Sequence, residues 1–353
     1  MIVSGLALRG QLAACPSHRR PDGSRRPRII GPTLTMAADS CCIRGSVAVP
    51  IGVASRIPGM MSFGLVLPTM RAGASRELIE AGAEVAERLG WTTVWTTDHV
   101  LVPHAAANEY GRIYEAITTL AWVGARHPRL RLGTSVIVVP QRNPVVLAKE
   151  LATLDALSEG RLLVGVGVGW NEPEFANLGV AERFSRRGAY LDETIRLWRH
   201  LWSGSSEPFE GEFHRLHDFV FGPLPAQGAQ VPLLVGGRSG AALRRAGSLG
   251  DGYHSSSTGP AAYALRLPQV RAAAEASGRD MPHLSARVNV RFGPTGRSEY
   301  LLSGDSAAML EEVRAFAAIG VEHLALGFEP REPDAFVAAV ECFDREVVKA
   351  AHA

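Results

Sequence analysis

The sequence predicts an α/β chain: eight strand–helix units closing into a (β/α)8 TIM barrel, with a β-hairpin inserted between strands four and five. Three observations carry this. A strand followed by an amphipathic helix recurs eight times after Met61. The third to fifth strands are near-continuous apolar runs, as expected of strands buried on both faces of a parallel sheet. No lone glycine fingerprint follows the first strand, which places a doubly wound open sheet second.

The elements follow in order. Phe63–Pro68 (FGLVLP) is a short buried strand. Ser75–Gly90 has Leu78, Ile79, Gly82, Ala83, Ala86 and Leu89 at three-to-four spacing, a helix closed by a C-terminal glycine. Thr92–Thr97 is strand two and Ile113–His127 helix two. Leu130–Val138 is strand three, and Pro144–Ser158 a helix with proline in its first turn. Arg161–Gly167 is strand four, and a long helix covers Arg183–Trp202. Residues 207–225 break the alternation: Phe213, Leu216, Phe219 and Phe221 around Gly211 predict the hairpin. Val231–Val235, Asp251–His254, Leu284–Phe292 and His323–Leu326 supply strands five to eight. Their helices are Arg238–Ser248, Ala261–Ala276, Ser306–Ile319 and Pro333–Val348.

Composition narrows the class. Of 353 residues, 46% are hydrophobic and 20% charged, a soluble globular profile with enough apolar material for a core. No apolar run is long enough to span a bilayer. The net charge of +2 is uneven: residues 1–61 hold eight arginines against Asp22 and Asp39, a net +6, so the remainder carries −4. A mildly acidic folded part argues against nucleic acid as partner. Lys149 and Lys349 are the only lysines, a bias toward arginine that weakens any single arginine as a phosphate-clamp signal. Cys15, Cys41, Cys42 and Cys342 form no CxxC pair and no His cluster, so neither a disulfide framework nor a metal site is expected, and the cytoplasm is the expected compartment.

Residues 1–61 are rich in Arg, Pro, Gly and Ser without apolar periodicity, and read as a disordered or artefactual extension ahead of a catalytic domain over 62–353. Leu12-Ala13-Ala14-Cys15 resembles a lipoprotein cleavage site. The apolar stretch before it is short and interrupted by Arg9, so it falls short of a signal peptide.

Barrel chemistry sits at the C-terminal strand ends. Asp98-His99 follows strand two, where a carboxylate beside an imidazole serves proton transfer; the plain alternative is a loop cap and a space-filling ring. Strand four ends in Gly165-Val166-Gly167-Val168-Gly169-Trp170, whose glycines admit a flat ligand and whose Trp170 can wall a pocket; the alternative is tight turn geometry. Strand five runs through Gly236-Gly237-Arg238-Ser239 straight into a helix, so free N–H groups, the dipole and an arginine make an anion site; the alternative is a tight loop with a surface arginine.

Together these tips resemble the bacterial luciferase-like oxidoreductase superfamily, closest to its actinobacterial F420-dependent branch. FGLVLP, VWTTDHV, the long block Leu132–Phe175, the FEGEFHRL hairpin and PLLVGGRSGAALRRAGSLGDGY carry the likeness, in order, from Phe63 to Tyr253. The resemblance implies a barrel, commonly a homodimer, with a deazaflavin (F420) or FMN ring in its mouth. It implies a non-proline cis peptide at Ser135–Val136 against the ring, and His99 at the ring's reactive edge with Asp98 in the same pocket. It further implies Gly167, Val168, Gly169, Trp170 and Asn143 near the ring or side chain, and a phosphate-binding turn at Gly236, Gly237 and Arg238. Arg142, Arg186, Arg187 and Arg238 are candidates for a basic rim. F420 would make the enzyme a hydride-transferring oxidoreductase acting on a small organic molecule. FMN would make it a monooxygenase served by a flavin reductase. A non-catalytic flavin-binding barrel is the third reading.

Overall fold

In the computed structural model, residues 61–293 and 299–353 are described. The extension expected over 1–61 therefore lies outside the described residues, except for Met61. Eight parallel strands form the barrel: β1 Ser62–Val66, β2 Thr93–Thr96, β3 Arg131–Val138, β4 Leu162–Gly167, β5 Leu233–Gly236, β6 Gly252–Ser256, β7 His283–Phe292 and β8 His323–Phe328. Each pairs with the next, and β8 returns to β1 with Ser62 opposite His323. The ring is closed, and the predicted barrel is the observed one.

Eight helices follow the strands: α1 Arg76–Leu89, α2 Ala116–Arg126, α3 Pro144–Leu157, α4 Arg187–Trp202, α5 Gly240–Ser248, α6 Leu267–Ala276, α7 Ser306–Ala318 and α8 Pro333–Phe343. Local chemistry sets their ends. The Ser75 side chain accepts the Leu78 N–H at 3.1 Å, and Gly90 closes α1 at φ 78°. Asp305 caps α7 in the same way.

Strand residues alternate between two apolar layers. Phe63, Leu65 and Val94 face outward into the main core shared with the helices. Val66, Trp95, Leu234 and Ala325 form a small separate cluster. Trp95 occupies space that only glycine neighbours permit: a Cβ on Gly133 would lie 2.3 Å from its ring, and one on Gly64 2.7 Å from its Nε1.

Three expectations change. The helix read as Ala261–Ala276 is two pieces, Pro260–Ala264 and Leu267–Ala276, because Pro268 cannot continue a helical hydrogen-bond ladder. The helix read from Arg183 begins at Arg187, after a tight turn over Ala181–Arg183. A short strand, Leu302–Gly304, adds to the far end of β7. The hairpin is present between β4 and β5, pairing Phe209–Glu210 with Arg215–Leu216. Among the described residues, no helix is long and apolar enough to cross a membrane.

Candidate active site

A cavity of about 580 Å³ opens at the C-terminal ends of β2 to β6. Of the twelve residues expected there, eleven line it. Asp98 and His99 come from the loop after β2, Ser135 and Val136 from β3, Gly167–Trp170 from β4, and Gly236–Arg238 from β5. Asn143 does not. Its side chain caps α3, accepting the N–H groups of Val145 at 3.0 Å and Val146 at 3.1 Å. An Asn before Pro-Val-Val is a helix start, and that local role overrides the expected ligand role.

Val136 explains the glycines. The Ser135–Val136 peptide is cis, as the resemblance implies. Its valine side chain projects among the tips of β4 and β5. A Cβ on Gly167 would lie 2.5 Å from Val136 Cγ2, and one on Gly236 2.8 Å from Cγ1. The glycines of these two tips therefore clear room for Val136, whose side chain also lines the cavity.

Both Ser135 and its carbonyl are held from below. The hydroxyl pairs with His254 Nε2 at 2.8 Å, and His254 Nδ1 pairs with the Ser285 hydroxyl at 2.8 Å. Burial, together with the Arg287 charge, pushes His254 down to about 3, so the ring is neutral and serves as a fixed hydrogen-bonding bridge. Arg287 donates to the Ser135 carbonyl at 2.7 Å. Sequence reading missed both residues. Nothing local marks them, because they meet β3 from across the barrel.

His99 is buried, and its Nδ1 lies 2.8 Å from Glu174 Oε2. Glu174 is fully buried on the short helix Glu172–Asn177. It also accepts the N–H groups of Val100 at 2.7 Å and Leu101 at 3.2 Å. Burial alone would raise this carboxyl, but the hydrogen bonds from His99 and Val100 outweigh it and hold Glu174 below the ordinary carboxylate range. The pair leaves Nε2 toward the cavity, flanked by Tyr110 with ring centroids 4.1 Å away and by the exposed Trp170 at 5.9 Å, edge-on. Glu174 was also missed. It lies 75 residues from its partner, beyond any local pattern.

Asp98 lines the cavity wall, but its oxygens are engaged within the protein. Oδ2 accepts the Val138 N–H at 2.8 Å, and Oδ1 accepts Arg142 at 2.7 Å. Its place is to hold the end of β3. Arg142 is shared between Asp98 and Glu115, so it is not a rim cation. Arg186 pairs with Glu212 of the hairpin and likewise lies off the cavity. Arg187 lines it, bonded to backbone carbonyls.

The β5 turn is different. Gly237 has φ 122°, a conformation that favours glycine, and Ser239 caps α5. Arg238 is exposed and has no carboxylate partner among the described residues, so one unpaired cation stands at a helix N-terminus facing the cavity. Free N–H groups, the dipole and this guanidinium fit a phosphate.

Comparison with known proteins agrees with this architecture. An F420-dependent glucose-6-phosphate dehydrogenase of Kineococcus radiotolerans is 34% identical over 244 residues, covering 67% of each chain. One from Mycolicibacterium fortuitum is 34% identical over 224 residues, covering 62% of this chain and 65% of its own. The chain thus spans about two thirds of the length of the curated relatives it matches. Among solved structures, an F420-dependent secondary alcohol dehydrogenase superposes with a TM-score of 0.70 at 19% identity, covering 83% of this chain and 99% of its own. A monooxygenase from Streptomyces bottropensis superposes at 0.67 and 23% identity, covering 83% and 100%. The profile of the luciferase-like monooxygenase family matches residues 61–339, and with the barrel, the β3 tip and the relatives in agreement, the chain belongs to that family.

Proposed function

We propose that the chain is an F420-dependent oxidoreductase that passes a hydride between the deazaflavin and a small organic substrate. One observation carries the chemical part: a buried imidazole at the barrel mouth, fixed by a buried carboxylate on Nδ1, with Nε2 directed to the cavity. The choice of F420 over FMN is supported by the names of the 34%-identical relatives.

When bound, the deazaflavin supplies or accepts the hydride at its C5 and does not readily activate oxygen. The chain's own residues do the rest. Arg238 and the N–H groups at the start of α5 would hold the cofactor's phosphate. Val136, with Gly167 and Gly236 beside it, would form the cavity wall against the bound ring. Trp170 and Tyr110 wall the space around His99. His99 holds or moves the proton at the substrate oxygen through Nε2, while Glu174 fixes the tautomer and stabilises the imidazolium that forms. A homodimer belongs to the same proposal, checked by sedimentation of the purified chain.

The test is a fluorescence-quenching titration of the purified protein with oxidised F420 and, separately, with FMN. Tight F420 binding with weak FMN binding is the expected result. A preference for FMN would overturn the cofactor assignment and move the chemistry to reduced flavin, oxygen and a partner reductase. Binding of neither would remove the β5 turn as a phosphate site.

A further inference from the structure

A second set of polar groups lies beside the cavity, at the tips of β1, β7 and β8. Arg71, Arg287, Asn289 and Arg331 line a recess of about 20 Å³ there, with Glu329. Two bonds link the residues of the recess toward those of the main cavity. Arg287 reaches from it to the Ser135 carbonyl, and Arg71 pairs at 2.8 Å with Glu109, the neighbour of Tyr110.

The charges do not balance. Glu109 is taken by Arg71, and Glu329 by Arg291 through two bonds of 2.8 and 2.5 Å. Arg287 and Arg331 have no carboxylate within ion-pair distance among the described residues. Burial first, and the Arg71 charge with it, hold both guanidinium groups below the usual arginine range, against the opposing pull of Tyr110 and Glu109 on Arg287 and of Glu329 on Arg331.

The backbone is built to keep them there. Arg71 has φ 76°, unusual for a side chain of its size, fixed by its N–H bond to Arg112 O at 3.0 Å. Gly73 lets the β1 loop close on the Arg331 stem: a Cβ there would lie 2.4 Å from Arg331 Cβ. The recess admits about one or two small atoms. That suits a planar carboxylate entering oxygen-first between guanidinium forks better than a tetrahedral phosphate.

We infer that the substrate is a small organic acid whose carboxylate is held by Arg71, Arg287 and Arg331 at the tips of β1, β7 and β8, on the opposite side of the mouth from the β5 phosphate turn. This rests on the oxidoreductase reading above, and it names the substrate class of that site.

The experiment is calorimetric titration of the full chain with benzoate and butyrate, their neutral amides, and glucose 6-phosphate, alongside the F420 quenching titration. The acids are expected to bind at least tenfold more tightly than their amides. Arg331→Gln and Arg71→Gln should each abolish that preference while F420 quenching stays as in the parent protein. Equal binding of acid and amide, a preference retained in both variants, or selective binding of glucose 6-phosphate overturns the proposal. Acid preference without F420 binding leaves the anion site standing and removes the cofactor reading; F420 binding without acid preference does the reverse.

Discussion

The two mouths of the barrel are made from the same eight strands and are chemically opposite. At the N-terminal mouth, a cavity of about 130 Å³ is lined by Trp95, Leu163, Leu234 and Leu284, and several of its polar groups bond to one another. Ser62 pairs with His323 Nδ1 at 2.9 Å, and Trp95 donates to His323 Nε2 at 3.0 Å. His283 pairs with Glu322. At the C-terminal mouth, glycines stand among Val136, Val168 and Trp170, and His99, Arg238, Arg287 and Arg331 carry polar atoms without a carboxylate or hydrogen-bond partner among the described residues. Satisfied polar groups contribute to stability; groups held ready at a cavity contribute to function. One end satisfies many of its polar groups within the protein, and the other leaves His99 and Arg238 open to a cavity.

Substitutions at the working end should separate turnover from folding. The largest effect is expected from His99→Asn, which keeps a donor for Glu174 and removes the proton-transfer group: turnover should fall by about 10²–10⁴-fold with F420 affinity retained. Unchanged turnover would return this mouth to a binding role. Glu174→Gln comes next, with a loss of about 2–3 kcal/mol in unfolding free energy because buried donors lose a charged acceptor. Its sign with pH is definite. The Glu174 carboxyl is held below its ordinary value in the folded chain, so its stabilisation is full above the unfolded value and is lost as pH falls through the carboxylate range. Glu174→Gln should flatten that acid limb in thermal melts.

Gly167→Ala should cost about 1–3 kcal/mol by overpacking Val136, and Val136→Ala in the same chain should restore much of it. Additive losses in the double variant would break the explanation of the glycines. Arg238→Ala should weaken F420 binding by about tenfold, with a smaller salt dependence than the parent. The smallest effect is expected at the other mouth. Ser62→Ala removes one bond to His323 and should cost about 1 kcal/mol in denaturant unfolding while leaving kcat alone. A turnover defect there would erase the contrast between the two ends.

The fold was legible because its signals are local. Period-two strands, period-3.6 helices, Ser75 and Gly90 at the ends of α1 and Pro144 at the start of α3 are all statements about near neighbours. The strand tips were legible for a related reason: barrel topology places every βα loop on one face, so His99, Gly167–Trp170 and Gly236–Arg238 had to converge. Where local chemistry competed, the reading failed. Asn143 is a cap, and Pro268 divides a helix.

The sequence alone carries the alternation, the barrel and the strand-tip groups His99, Gly167–Trp170 and Gly236–Arg238 that line the cavity. The tertiary structure decided which of them are committed and which are left over. Asp98 and Arg142 are consumed by each other and by Val138 and Glu115. Glu174 reaches His99 across 75 positions, Arg287 reaches Ser135 across 152, and Arg331 has no carboxylate partner among the described residues. The physical reason is that hydrogen bonds and ion pairs act over about 3 Å in space and are indifferent to chain separation, so a charge can be counted from sequence while its partner is found only once the barrel has closed.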